Sequence, residues 1–102
     1  MKIRILNGAR GRDLNAAVII RAAEMGIDLT WKYPFCWFNV EEWDQFLNIV
    51  WLALSEYSRH HTISSDNTKL PVLVEIGDGR EYNTCVWFDT EYKGLRYVSL
   101  YK

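Results

Sequence analysis

The chain has 102 residues, with 12 lysines and arginines against 13 aspartates and glutamates, so its formal net charge is −1. This length and composition predict one ordinary globular domain, residues 1–102, and exclude a disordered or fibrous protein. The near-neutral charge excludes a broadly basic surface that would hold nucleic acid through phosphate contacts alone. No apolar run approaches the ~20 residues that cross a bilayer, and no signal peptide is recognisable. We therefore expect a cytoplasmic protein with no membrane partner.

The first predicted elements are a strand, a helix and a second strand. Lys2–Leu6 alternates apolar and basic residues, which is typical of a half-buried strand. Leu14–Met25 carries apolar residues at helical spacing, with Asp13 as the expected N-cap and Gly26 as the residue that ends the helix. Ile27–Tyr33 alternates again and predicts a strand, which a right-handed crossover would place parallel to the first.

A second amphipathic helix is predicted after Pro34. Asn39 and Glu42 match a capping box, and the helical spacing continues to Tyr57. One apolar stripe should face the sheet, with Trp43 and Leu47 near its centre. The stripe comprises Val40, Trp43, Leu47, Val50, Leu54 and Tyr57. Ile49 and Leu52 fall on the polar side of this helix, where core packing does not account for them.

Three strands complete the predicted fold. They span Val72–Ile76, Glu81–Phe88 and Leu95–Tyr101, and two short glycine-containing turns join them. The element order β-α-β-α-β-β-β is typical of an α+β fold. We expect a mixed sheet of about five strands with two helices on one face.

Aromatic residues give the main functional hypothesis, because 5 Trp, 6 Tyr and 4 Phe are many for so small a core. In the last three strands, aliphatic residues alternate with a second set that should face away from the helices. That set comprises Leu73, Cys85, Trp87, Tyr97 and Tyr101. Large rigid Trp and Tyr side chains dominate binding hot spots. The residues predicted to bind a partner are Leu73, Trp87, Tyr97 and Tyr101 on this face, with Ile49 and Leu52 on the second helix.

These residues predict a non-enzymatic binding module of the inhibitor or adaptor type. Its partner would be another protein or a second copy of the chain as a homodimer, and phages or mobile elements are one expected source of such proteins. The alternative structural interpretation is that the aromatic run Tyr33–Phe38 covers the same face as a second small core.

A nucleotide or nucleic-acid binder is the second functional hypothesis. Arg10, Gly11 and Arg12 lie in the Gly8–Arg12 loop before a helix, where free amides and the helix dipole favour an anion. The loop lacks the spacing of a P-loop and the third glycine of a dinucleotide fingerprint. The run Tyr33–Phe38 could stack bases, although Lys32 is the one cation beside it in the sequence.

A small enzyme using His60, His61 or Cys85 is the third hypothesis. Adjacent histidines rarely bind one ion together, and the cysteines lack zinc-like spacing, so we predict no metal and no cofactor. His60 and His61 also fit a solvated helix end. We expect Cys36 and Cys85 to be free thiols, because disulfides are unusual in cytosolic proteins.

Overall fold

The computed structural model describes residues 1–7, 14–63, 68–77 and 79–97, which form the order β-α-β-β-α-β-β-β. The two helices and one sheet of these residues confirm the predicted α+β class. The elements are β1 (Lys2–Leu6), α1 (Leu14–Glu24), β2 (Thr30–Lys32), β3 (Phe35–Asn39), α2 (Trp43–Tyr57), β4 (Leu70–Ile76), β5 (Arg80–Asp89) and β6 (Gly94–Tyr97).

The six strands of the described residues form one sheet in the order β2-β3-β1-β4-β5-β6, and every pairing is antiparallel. The sheet therefore differs from the expected mixed sheet of about five strands. The expected parallel pair is not formed, because the chain reverses after β2 and presents β3 to β1 in the opposite direction. β1 lies inside the sheet, between β3 and β4.

The hairpin β2–β3 is the element that the sequence did not predict. Its turn contains the cis peptide bond between Tyr33 and Pro34. The backbone N–H of Asn7 donates to the carbonyl oxygen of Pro34 over 2.8 Å, which extends the contact between β1 and this hairpin to the turn. β3 has apolar side chains on both faces, so the alternation that marks a half-buried strand is missing from its sequence.

The inner face of the sheet is the face on which both helices pack. Ile3 and Ile5 of β1 are fully buried there. Their cross-strand partners point to the same side and are also apolar: Phe38 and Cys36 in β3, and Val74 and Val72 in β4. These side chains form one core cluster with buried residues of both helices, including Leu14, Val18, Ile19, Ala22, Phe46, Ile49, Val50, Ala53 and Leu54.

α1 begins and ends close to its predicted bounds. Asn15 donates from its side-chain amide to the carbonyl oxygen of Leu6 over 3.1 Å, which ties the first turn of the helix to β1. Gly26 has a φ of +80° and follows the helix as predicted. The N–H of Gly26 bonds to Ala23 and that of Ile27 bonds to Ala22, the pattern of a Schellman motif. The predicted N-cap, Asp13, lies outside the described residues.

α2 begins later than predicted, because Asn39 belongs to β3. The N-cap is Glu42, which makes no side-chain capping bond. Instead, Gln45 reaches back and its side-chain oxygen accepts the N–H of Glu41 over 2.7 Å. The predicted capping box between Asn39 and Glu42 was therefore wrong.

Val50 and Leu54 of the predicted stripe are buried as expected, but the buried side of α2 is rotated away from the other members of the stripe. Trp43 and Leu47, expected at its centre, are half-buried, whereas Phe46 and Ile49 are fully buried. The physical reason is that α2 packs against α1 as well as the sheet. Ala53, one turn beyond Ile49, lines the groove between the two helices, so this row of α2 faces α1.

Candidate functional site

The outer face of the sheet is the face turned away from the core cluster. Cross-strand register gives its composition: residues directly opposite one another point to the same side. Arg4 of β1 lies opposite Trp37 of β3 and Leu73 of β4, and Leu6 lies opposite Phe35. The outward residues in the centre of the sheet are Lys2, Arg4 and Leu6 from β1, Phe35 and Trp37 from β3, Pro71, Leu73 and Glu75 from β4, and Glu81, Asn83, Cys85 and Trp87 from β5.

Two cations of β1 lie over aromatic rings of β3. The guanidinium carbon of Arg4 is 4.1 Å from the ring centroid of Phe35 and 5.7 Å from that of Trp37. The ammonium nitrogen of Lys2 is 4.8 Å from the ring centroid of Trp37. Among the described residues, no carboxylate lies within ion-pair distance of Arg4 or Lys2. The rings therefore hold both positive charges in place without neutralising them.

A shallow apolar depression of about 360 Å³ adjoins these cations. Leu73 is only 7% exposed, whereas Leu6 is 49% exposed. The lining comprises Arg4, Leu6, Phe35, Pro71, Val72, Leu73, Asn83 and Thr84. The depression is open and largely hydrocarbon, so it can accept an apolar side chain beside a fixed guanidinium.

Charged side chains on the outer face differ from strand to strand. Lys2, Arg4 and Lys32 are on β1 and β2. Glu75 and Glu81 lie opposite each other on β4 and β5. Lys2, Arg4 and Lys32 therefore make the β1–β2 side basic, Glu75 and Glu81 make the adjoining parts of β4 and β5 acidic, and Arg96 of β6 adds a cation beyond them, opposite Trp87.

Two of the predicted partner-binding residues lie on the outer face, and a third lies on the inner face. Leu73 and Trp87 point outward as expected. Tyr97 does not: it lies opposite Val86, and its ring meets Trp43 of α2 edge-on at 5.3 Å, on the inner side. The prediction that Tyr97 shares a face with Trp87 was wrong. Tyr101 lies outside the described residues.

Turn length explains the position of Tyr97. Residues 90–93 separate Asp89 from Gly94, and this pairing puts Arg96 opposite Trp87. The carboxylate of Asp89 fixes the turn by accepting the N–H groups of Glu91 at 2.9 Å and Tyr92 at 3.0 Å. A register shifted by one residue reverses every side chain of a strand, so Tyr97 faces the helices.

The two predicted binding residues of α2 also differ from expectation. Ile49 is 0% exposed and belongs to the core, so it forms no docking surface. Leu52 is 36% exposed, but α2 lies on the inner side of the sheet. The run Tyr33–Phe38 does not cover the outer face, because Phe35 and Trp37 belong to the same sheet and share that face.

The sequence did not predict that Lys2, Arg4, Phe35 and Trp37 lie together on one surface. The signal was divided between two segments: the basic alternation in β1 and the aromatic run after Pro34. Only the β1–β3 pairing brings them together. The loop residues of the second hypothesis, Arg10, Gly11 and Arg12, lie outside the described residues.

His60 and His61 follow α2 and line a groove of about 230 Å³ between the two helices, together with Glu24 and Glu56. His60 Nε2 is 3.7 Å from Glu56 Oε1, and the His61 ring stacks on Tyr57 with centroids 4.2 Å apart. Within the described ranges, no group of three or more His, Cys, Asp or Glu side chains is placed to hold a metal ion.

Both cysteines are free, as predicted. Cys36 points to the inner face, where it lies opposite Ile5, and Cys85 points to the outer face opposite Pro71. The sheet separates the two sulfur atoms and also separates Cys85 from the histidine groove, so no Cys–His nucleophile pair is formed. Burial raises the pKa of the Cys36 thiol.

In comparisons with known proteins, no family model, no curated protein and no solved structure matches this chain. Neither helix in the described part of the chain is long and apolar enough to cross a membrane.

Proposed function

We propose that this protein is a non-enzymatic protein-binding module of the inhibitor or adaptor type, and that it binds its partner through the outer face of the sheet. One observation carries the proposal. Both helices pack on the inner face, and no helix of the described residues covers the apolar and aromatic side chains on the other face. Contiguous apolar patches on a small domain commonly mark interaction sites.

The chemistry of this face supports a protein partner. Arg and Trp are enriched among the residues that contribute most to binding at protein interfaces. The outer face carries Arg4, Trp37 and Trp87. Contact with the rings also limits the movement of Arg4 before a partner arrives, which lowers the entropy lost on binding. The proposed binding residues are Arg4, Leu6, Phe35, Trp37, Leu73 and Trp87.

A matched pair of tryptophan variants tests the proposal. Trp37 and Trp31 belong to the same hairpin, but Trp31 is 56% exposed and lies opposite Cys36, on the inner side. Trp37→Ala should weaken binding of a partner recovered with the wild-type protein by at least about tenfold, because it removes an aromatic contact and the support of Arg4. Trp31→Ala should bind like the wild type.

Affinity is measured with the purified partner, and circular dichroism verifies the fold of both variants. Equal binding by wild type and Trp37→Ala would contradict the proposed surface. So would a loss of binding that is as large for Trp31→Ala as for Trp37→Ala.

Single-stranded nucleic acid is a second candidate, favoured by the contacts of Arg4 and Lys2 with aromatic rings. The sequence placed only Lys32 beside the aromatic run, but strand pairing adds these two cations. Bases stack on aromatic rings and on guanidinium planes, and lysines hold phosphates. A labelled oligothymidine should then bind at low salt and weaken steeply as salt increases. Absence of binding at low salt would eliminate this candidate.

A further inference from the structure

We propose that the depression beside Arg4 binds the C-terminal residue of a partner protein, with the terminal carboxylate on the Arg4 guanidinium and an apolar side chain on the hydrocarbon floor. This inference rests on the proposed function, since it states which part of a protein partner would occupy the outer face. Three features of the molecule support it: the charge of Arg4, the lining of the depression and its small volume.

The two arginines of the outer face differ in how their charge is balanced. Arg96 of β6 has its Nη1 atom 3.6 Å from Oδ2 of Asp89, and its guanidinium carbon is 5.3 Å from the ring centroid of Tyr92. Arg4 also lies over a ring, that of Phe35, but none of the described carboxylates is within ion-pair distance of it. Arg4 therefore keeps a positive charge that a ligand can neutralise.

Stacking on Phe35 leaves the hydrogen-bonding edge of Arg4 available. A guanidinium contacts a ring through its flat face, whereas its N–H groups lie in its own plane. Two of these N–H groups match the two oxygens of a carboxylate and can bind both at once. Arg4 is half-buried, so water and salt screen such a pair less than they would on an open surface.

The lining of the depression combines this one charge with hydrocarbon. Arg4 is the one charged side chain among the described residues that line it. Leu73, which is 7% exposed, lies directly opposite Arg4, and side chains in that relation have Cβ atoms about 5 Å apart. Asn83 lies opposite Leu73 on β5 and offers an amide group to a peptide backbone. A matching ligand therefore carries one negative charge close to one apolar group.

A C-terminal residue meets this requirement because its carboxylate and its side chain share one Cα atom. Within an extended segment, by contrast, an acidic and an apolar side chain that face the same way are two residues apart, roughly 7 Å. The volume of the depression, about 360 Å³, is also small, since ligand pockets span about 300–1,000 Å³. The depression thus suits one or two residues at a chain end better than a long segment.

Short peptides test the ligand on the unaltered protein. Acetyl-Gly-Gly-Leu with a free carboxylate should shift the backbone amide resonances of Arg4, Leu6 and Leu73 in an NMR titration. The same peptide with an amidated end should bind at least about tenfold more weakly, because it loses a charge-assisted hydrogen bond. Acetyl-Gly-Gly-Ser with a free carboxylate should also bind at least about tenfold more weakly, because it buries no hydrocarbon.

A matched pair of arginine variants tests the site. Arg4→Gln should remove the preference for the free carboxylate over the amide. Arg96→Gln is the control, since it makes the same change at the outward arginine that already pairs with Asp89, and it should keep the preference. Circular dichroism verifies the fold of both variants, and the comparison of peptides on the wild-type protein does not depend on either.

Equal binding of the free acid and the amide would overturn the inference. So would an amidated acetyl-Glu-Gly-Leu that binds as tightly as the free acid, since the carboxylate would then not need to be terminal. No binding of any peptide, together with a partner that Trp37→Ala weakens, would overturn the inference and leave the proposed function standing. Binding of the free acid that requires Arg4, together with a partner that Trp37→Ala does not weaken, would support the carboxylate site and contradict the proposed interface.

Discussion

Cys36 and Cys85 belong to strands of one sheet, yet their thiols have different surroundings. Cys36 is fully buried within the core cluster, whereas Cys85 is half-buried on the outer face. Burial disfavours the thiolate of Cys36, and its pKa is raised accordingly. Because the thiolate is the reacting species, Cys36 is protected both by its lack of solvent access and by its weaker ionisation.

Alkylation with iodoacetamide should therefore modify Cys85 at least about tenfold faster than Cys36 in the folded protein. The difference should disappear in denaturant, where both thiols are exposed. Peptide mass spectrometry of timed samples measures the two rates, and Cys85→Ser identifies the remaining signal. Equal rates in the folded protein would show that Cys36 is not held in the core.

At the scale of one helix, we expect the side chains of α2 that face both the sheet and α1, such as Ile49, to contribute most to stability. Ile49 is fully buried, and Leu52 is 36% exposed less than one turn later. Both are aliphatic residues of the same size in the same helix, so they form a matched pair.

Ile49→Ala should lower the free energy of unfolding by about 2–5 kcal/mol, because it leaves a cavity in the core. Leu52→Ala should cost about 0.5 kcal/mol or less, as is usual at exposed positions. Urea unfolding followed by tryptophan fluorescence measures both values. Similar losses for the two variants would contradict the observed rotation of α2.

Elements with clear periodicity were predictable from sequence. β1 was predicted with its observed bounds, and α1 and β5 within two residues of theirs. β3 was not predicted, because Phe35 and Trp37 are apolar on the side where polar residues were expected. The stack with Arg4 and Lys2 makes apolar outward residues tolerable, and that stack depends on strand pairing.

The candidate site was predicted only in part, for a related reason. Alternation within β4 and β5 was sufficient to place Leu73 and Trp87 on the outer face. The side of the sheet to which Tyr97 points depends on the register of β6, which the turn after Asp89 determines. The burial of Ile49 depends on where α1 packs against α2, and the sequence of α2 alone does not show this.

For the molecule as a whole, β1 is the strand that joins two parts of the sheet. The hairpin β2–β3 lies on one side of it and the meander β4–β5–β6 on the other. β2 is a short edge strand of three exposed residues. Protection of the backbone should follow this arrangement, because interior strands open only when much of the sheet opens.

Hydrogen exchange of backbone amides should be slowest in β1 and β4 and fastest in β2 among the strands of the described residues. Exchange followed by mass spectrometry of short peptides measures this order. Exchange in β2 as slow as in β1 would contradict the observed strand order.

The interior position of β1 also sets an order for synthesis on the ribosome. β1 emerges before either of its neighbours, and its second neighbour, β4, is complete only after Ile76 has been made. β1 therefore gains its second neighbour only after 76 of the 102 residues have been made. Its contacts are far apart in sequence, a feature that slows folding. Until then Ile3, Ile5 and Leu6 have no complete sheet to join, and a chaperone that binds short apolar segments can bind β1 during this interval.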